Sequence, residues 1–141
     1  AGAHTTLPPQ TSRTDMPRIT TGEIHDLEYI GNRVFVSGTF TSIRNNRGTN
    51  TTSYNQRYLA AFSLDTGLVD TNFRPTFDGS VEEIEASPDG TRLYIVGRFN
   101  TVNGVTKRKI AALNPTNGSV ITGFTANANA VATTVEATTH V

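Results

Sequence analysis

The chain has 141 residues whose 12 basic and 12 acidic side chains cancel, so no overall field gathers nucleic acid or an anionic membrane surface. Cysteine is absent, which excludes disulfide staples, thiolate metal sites and a thiol nucleophile. No apolar run approaches the roughly 18 to 20 residues a helix needs to cross a bilayer, so neither nucleic-acid binding nor membrane insertion is expected.

Residues 1–20 open with Ala1-Gly2-Ala3 and continue Thr- and Pro-rich through Pro8-Pro9 to Met16-Pro17. Proline there forbids helix and favours extended backbone. The composition is one that often follows a secretory cleavage site, and a plain flexible tail is the bland alternative. If the tail is held at all, strand addition to a sheet edge of this chain or of a neighbouring subunit is the physical means.

From residue 21 the chain reads as short strands separated by turn signals. Ile24 to Tyr29 forms a first strand closed by Gly31-Asn32, and Arg33 to Phe40 a second with Gly38 near its end. A glycine in that place marks a bulge or a close backbone approach. Ser42 to Gln56 is a tract of loop formers, Tyr58 to Leu64 a third strand closed by Asp65-Thr66-Gly67, and Leu68 to Phe73 a short fourth element. The series then recurs. Val81 to Ala86 is closed by Ser87-Pro88-Asp89-Gly90, Arg92 to Phe99 contains Gly97, Lys109 to Leu113 is closed by Asn114 to Gly118, and Ser119 to Phe124 ends on an aromatic. No stretch keeps a helical apolar period beyond one turn, so the chain is expected to be all-β.

The recurrence is a sequence repeat. Val34 to Phe40 matches Leu93 to Phe99 at an offset of 59, and Arg57 to Gly67 matches Arg108 to Gly118 at an offset of 51. The first copy therefore carries eight extra residues between Phe40 and Arg57. Four short strands in a unit of about 50 to 60 residues is the arithmetic of a β-propeller blade. The expected layout is a tail at 1–20, four-stranded antiparallel blade units at 21–77 and 78–128, and the start of a third unit at 129–141. Such units bury their sheets only against neighbours, so two and a fraction blades of an incomplete ring imply further blades from the same polypeptide or from other chains.

Gly97-Arg-Phe99, Asn103-Gly104, Arg108-Lys-Ile110-Ala111-Ala-Leu113-Asn114, and in the first copy Gly38-Thr-Phe40 with Arg57-Tyr-Leu59-Ala60 to Phe73, resemble the delta-60 type of propeller repeat of bacterial secreted and surface proteins. The likeness covers roughly Thr21 to Val141. Two departures exist: Asp70 becomes Ile121 in the second copy, and the short Asn103-Gly104 loop stands where the first copy has its long insertion. The resemblance implies an extracellular or envelope-associated scaffold, commonly joined to adhesion-like modules, with no general catalytic assignment.

Several groups of residues carry candidate chemistry. Glu28, Glu85 and Glu136 recur at one place in the first strand of each copy; in a propeller that strand lines the central channel, where carboxylates from several blades suit Ca²⁺. The alternative is pairing with arginines or solvent, and no other cofactor is expected. His25-Asp26 with Glu28, and Glu82-Glu83 with Glu85, bring an imidazole and acids together, although neighbouring side chains of a strand face opposite ways. Ser87 to Thr91 reads as a hairpin turn rather than an Asp-box, which would close on an aromatic. Arg57 and Arg108 share a repeat position suited to structural cross-linking. The loop from Ser42 to Gln56 is the binding candidate, with Arg47, Asn50 and Tyr54 suited to a carbohydrate or protein surface. Asn50-Thr51-Thr52 and Asn117-Gly118-Ser119 are glycosylation sequons. The leading expectation is a non-enzymatic scaffold or adhesion module, secreted or at a cell surface. The alternatives are a subunit or fragment completed by other chains, and a glycan-active enzyme using channel carboxylates.

Overall fold

The computed structural model describes residues 15–124, and the proposed third unit at 129–141, with Glu136, lies outside them. The described residues form antiparallel sheets of two or three strands and no helix. Sheet I joins β2 (Ile24–Ile30), β3 (Arg33–Gly38) and β6 (Leu59–Ser63) in that order. Sheet II joins β7 (Val81–Ala86), β8 (Leu93–Gly97) and β11 (Ile110–Leu113) in the same order. Beside sheet I a smaller sheet holds β1 (Arg18–Ile19), β4 (Ser42–Arg44) and β5 (Ser53–Asn55), and beside sheet II lies the hairpin of β9 (Thr101–Val102) and β10 (Val105–Thr106).

Register repeats to the residue. Asp26 pairs with Ser37 and Glu83 with Val96, each just after a bulge, at His25 in β2 and at Glu82 in β7. The glycines at the ends of β3 and β8 serve both expected purposes. A Cβ on Gly38 would stand 1.9 Å from the Glu23 carbonyl oxygen, and one on Gly97 would stand 2.2 Å from that of Ser80. Only a hydrogen fits where the bulged strand crosses so close.

Two boundaries differ from the sequence reading. The third strands start one residue late, at Leu59 and Ile110, because Tyr58 (φ 79°) and Lys109 (φ 70°) are left-handed. Each still spends both backbone groups: Tyr58 donates to Phe40 and accepts from Gly38, while Lys109 donates to Phe99 and accepts from Gly97. These bonds hold a conformation that a non-glycine residue otherwise avoids. The fourth elements are not full strands but single bridges, Phe62 with Val69 and Leu113 with Val120. A turn ends each at once, closed by Phe73 N–H to Asp70 in one sheet and Phe124 N–H to Ile121 in the other. Phe73 is thereby swung under sheet I, where it meets Phe35 edge-on at 5.0 Å and is fully buried.

The last part of the stretch expected as a tail belongs to the fold. Ile19 of β1 pairs with Ile43 of β4, and Met16 and Ile19 pack on the apolar cluster of Val34, Val36 and Phe40. Phe77 plays the matching part in the second copy, bridging Val102.

Alternation along the strands gives each sheet two apolar faces. In sheet I, Val34, Val36 and Ala60 point to one side, and Phe35, Leu59 and Ala61 to the other. The second group shares one buried cluster with Ile84, Leu93, Ile95, Ala111 and Leu113 of sheet II. Leu93 and Ile95 are the repeat equivalents of Val34 and Val36, so the Phe35 side of sheet I meets the opposite side of sheet II. The contact is head to tail.

Candidate functional site

The first strands of the two sheets lie beside each other without pairing as a ladder. In an antiparallel pair alternate amides face the partner strand and the rest face away. Ile84 and Ala86 therefore turn their N–H groups away from β8, as Leu27 and Tyr29 turn theirs away from β3. Asp26 and Glu28, spaced two apart on one edge of β2, take all four. Asp26 accepts Leu27 N–H on Oδ1 at 2.9 Å and Ile84 N–H on Oδ2 at 3.0 Å. Glu28 accepts Tyr29 N–H on Oε1 at 3.0 Å and Ala86 N–H on Oε2 at 2.7 Å. Two carboxylates thus satisfy two exposed strand edges at once and fix one sheet against the next.

This geometry bears on two of the three recurring glutamates, Glu136 lying outside the described residues. Glu28 is 5% exposed and Glu85 6% exposed, and Glu28 directs both oxygens at amides rather than into an open channel. Among the described residues no group of three acidic, histidine or cysteine side chains converges as a metal site needs. The two bulged residues do meet: His25 Nε2 stands 3.9 Å from Glu82 Oε2. The Ser80 hydroxyl donates to that same Glu82 oxygen at 2.8 Å.

A second link joins the sheets at the other end of β3. The Arg33 guanidinium pairs with Asp70 at 2.7 Å, donates to the Pro115 carbonyl of the second copy, and lies 4.8 Å over the Phe35 ring. Asp70 also caps its own turn by accepting Asn72 N–H at 2.9 Å. The departure from Asp70 to Ile121 removes that acid from the second copy, where Arg92 is the counterpart of Arg33. Arg57 and Arg108, expected as the cross-linking arginines, stand exposed.

The long loop is an ordered hairpin. Its eight extra residues extend β4 and β5, with Ser42 opposite Asn55 and Ile43 opposite Tyr54, and a last bridge joins Arg47 to Asn50. Asn45, 2% exposed, accepts Val69 N–H at 2.7 Å. Gln56, 3% exposed, donates to the Leu59 carbonyl at 2.8 Å and accepts from Arg74 Nε at 2.9 Å. The three residues picked as ligand contacts do not converge. Arg47 reaches the Thr66 carbonyl and Asp15, the latter at 3.4 Å. Asn50 folds its side-chain oxygen onto Thr52 N–H at 3.2 Å. Tyr54 is half-buried under the Arg74 guanidinium, 5.7 Å from its ring centre. Where the hairpin returns to the sheet, an open depression of about 320 Å³ is lined by Asn55, Gln56, Arg57, Arg74, Pro75, Thr76 and Phe77.

No known family, curated protein or solved structure matches this chain.

The acid pair at 26 and 28 had a sequence signal: Asp26-Leu-Glu28 and Glu83-Ile-Glu85 set acids two apart around an apolar residue at equivalent places. Arg33, Asn45, Gln56 and Arg74 carried none, because the partners that tie them across the fold, Pro115 for Arg33, Val69 for Asn45, and Gln56 and Arg74 for each other, lie 18 to 82 residues away.

Proposed function

We propose that the chain is a segment of a propeller-type scaffold, built of blade units, from a secreted or cell-surface bacterial protein. It acts without catalysis and presents its long hairpin to a carbohydrate or protein surface. The observation that carries the scaffold reading is the head-to-tail contact: two sheets of one strand order pack with the same registers, the Phe35 side of one on the Leu93 side of the next. A stacking rule that uses unlike faces can be continued by further units, and it closes into a ring where the rotation allows.

Binding is assigned to the depression beside the hairpin. Asn55 and Arg57 are exposed there with Arg74, over a floor of Pro75 and Phe77. Amide and guanidinium donors around an apolar floor suit sugar hydroxyls and the C–H faces beneath them. The enzyme alternative would use channel carboxylates; Asp26 and Glu28 spend their oxygens on backbone amides, which favours the scaffold reading.

Direct binding of the chain to panels of oligosaccharides and of surface proteins, measured by interferometry, is the test. Asn55→Ala and Arg57→Ala are expected to weaken binding about tenfold each, with unchanged unfolding midpoints. A chain that binds nothing in either panel, or variants that bind as well as the parent, would overturn the assignment.

A further inference from the structure

The rule that joins sheet I to sheet II also describes the far side of sheet II. Residue for residue, that side repeats the surface on which sheet II itself sits. Tyr94 stands for Phe35, Ile110 for Leu59, Ala112 for Ala61 and Phe124 for Phe73. The aromatic pair recurs too, with Tyr94 and Phe124 5.5 Å apart. Glu83 and Glu85 occupy the places of Asp26 and Glu28, in the same register after the same bulge.

We infer that Glu83 and Glu85 form the docking edge for the first strand of the next repeat, supplied by residues 133–141 of this chain. The inference rests on the repeat reading above and deepens it by naming the occupant and its register. Val135-Glu136-Ala137 matches Ile84-Glu85-Ala86 at an offset of 51. Asp26 receives the amide of Ile84 and Glu28 that of Ala86. The same step moved on by one unit gives Glu83 the amide of Val135 and Glu85 the amide of Ala137. Val135 replaces Ile84 as the apolar side chain between them, facing the side of sheet II that holds Tyr94 and Ile110. Backbone amides supply the affinity, and the two-residue spacing of the acids sets the register: a slip of one residue would present the other set of amides.

Amide hydrogen exchange on the full chain tests this, with the Ala86 amide as internal standard for an edge known to be capped by a carboxylate. Val135 and Ala137 are expected to exchange more slowly than Glu136's neighbours in an unstructured peptide of the same sequence. In Glu85→Gln, Ala137 should lose roughly tenfold to a hundredfold of its protection while Ala86 keeps its own. Val135 and Ala137 exchanging at peptide rates in the parent chain, with Ala86 protected, would overturn the docking and leave the contact of sheets I and II standing. Protection that appears only as the mass doubles with concentration would also overturn it, in favour of a second copy as the occupant. Binding at the hairpin is read separately, so its failure leaves this result untouched.

Discussion

Replacing Glu28 with alanine probes the join between the sheets where it is most concentrated. The change removes the acceptor of two amides, Tyr29 at 3.0 Å and Ala86 at 2.7 Å, from a position 5% exposed. A hydrogen bond to a charged group contributes about 1.5–3 kcal/mol, and a buried donor left without acceptor costs about 1–3 kcal/mol. Water reaching the edge recovers part of that loss, so about 3 kcal/mol is the expected destabilisation. Urea unfolding followed by tyrosine fluorescence is the assay. With a slope of about 2 kcal/mol per molar, the midpoint should fall by about 1.5 M. Glu23→Ala removes a carboxylate at an exposed position in the turn before β2 and should stay within about 0.5 kcal/mol of the parent. Glu28→Ala unfolding at the same midpoint as Glu23→Ala would show that the carboxylate does not hold the sheets together, and the reasoning would fail.

Three further outcomes follow from particular residues. Gly38→Ala and Gly97→Ala each force a methyl against a backbone oxygen at about 2 Å, and each should cost about 3 kcal/mol or more in the same urea assay. Lys109→Gly should raise stability by about 0.5–1 kcal/mol, because a left-handed φ of 70° costs a non-glycine residue about 1–2 kcal/mol and glycine's extra chain entropy returns only part of it. The turn at Asp89 should open in acid. Hydroxyl bonds from Ser87 and Thr91 and the Thr91 amide hold its carboxyl down at about 2 from an ordinary 3.8. A folded value below the unfolded one means the turn's contribution is complete above about pH 4 and is lost as pH falls toward 2. Amide exchange at Thr91 across that range reads it, and a rate indifferent to pH after correction for intrinsic exchange would contradict the bond set.

Strand positions were legible because they rest on local signals. Val-rich alternation, the Gly31-Asn32 turn and the Ser87 to Gly90 turn bound β2, β3, β7 and β8 within a residue or two. The repeat offsets even located the extension of the β4–β5 hairpin. What the sequence hid was the cost-balancing of single residues. Tyr58 and Lys109 are poor left-handed formers, and only the paired bonds to Phe40 and Phe99 hold them so. Leu68 to Phe73 alternates well enough for a strand, yet Asp70 caps a turn after one bridge. The acids at 26 and 28 read as channel ligands or a catalytic group because charge and spacing do not say which way a side chain turns. Their use as caps on edge amides becomes visible only when the neighbouring strand is in place. The sequence could not show either that Arg47 and Tyr54 meet residues outside the loop, Thr66, Asp15 and Arg74, while Asn50 turns back onto the loop's own backbone.

The most direct test of the account is the exchange of the Ile84 and Ala86 amides, which face away from β8 and have no strand partner on that side. Capping by Asp26 and Glu28 predicts that both are protected, and that Glu28→Ala frees Ala86 while Ile84 stays protected. Two amides exchanging at the rate of an open sheet edge in the parent chain would contradict the carboxylate join on which the stacking of the units depends.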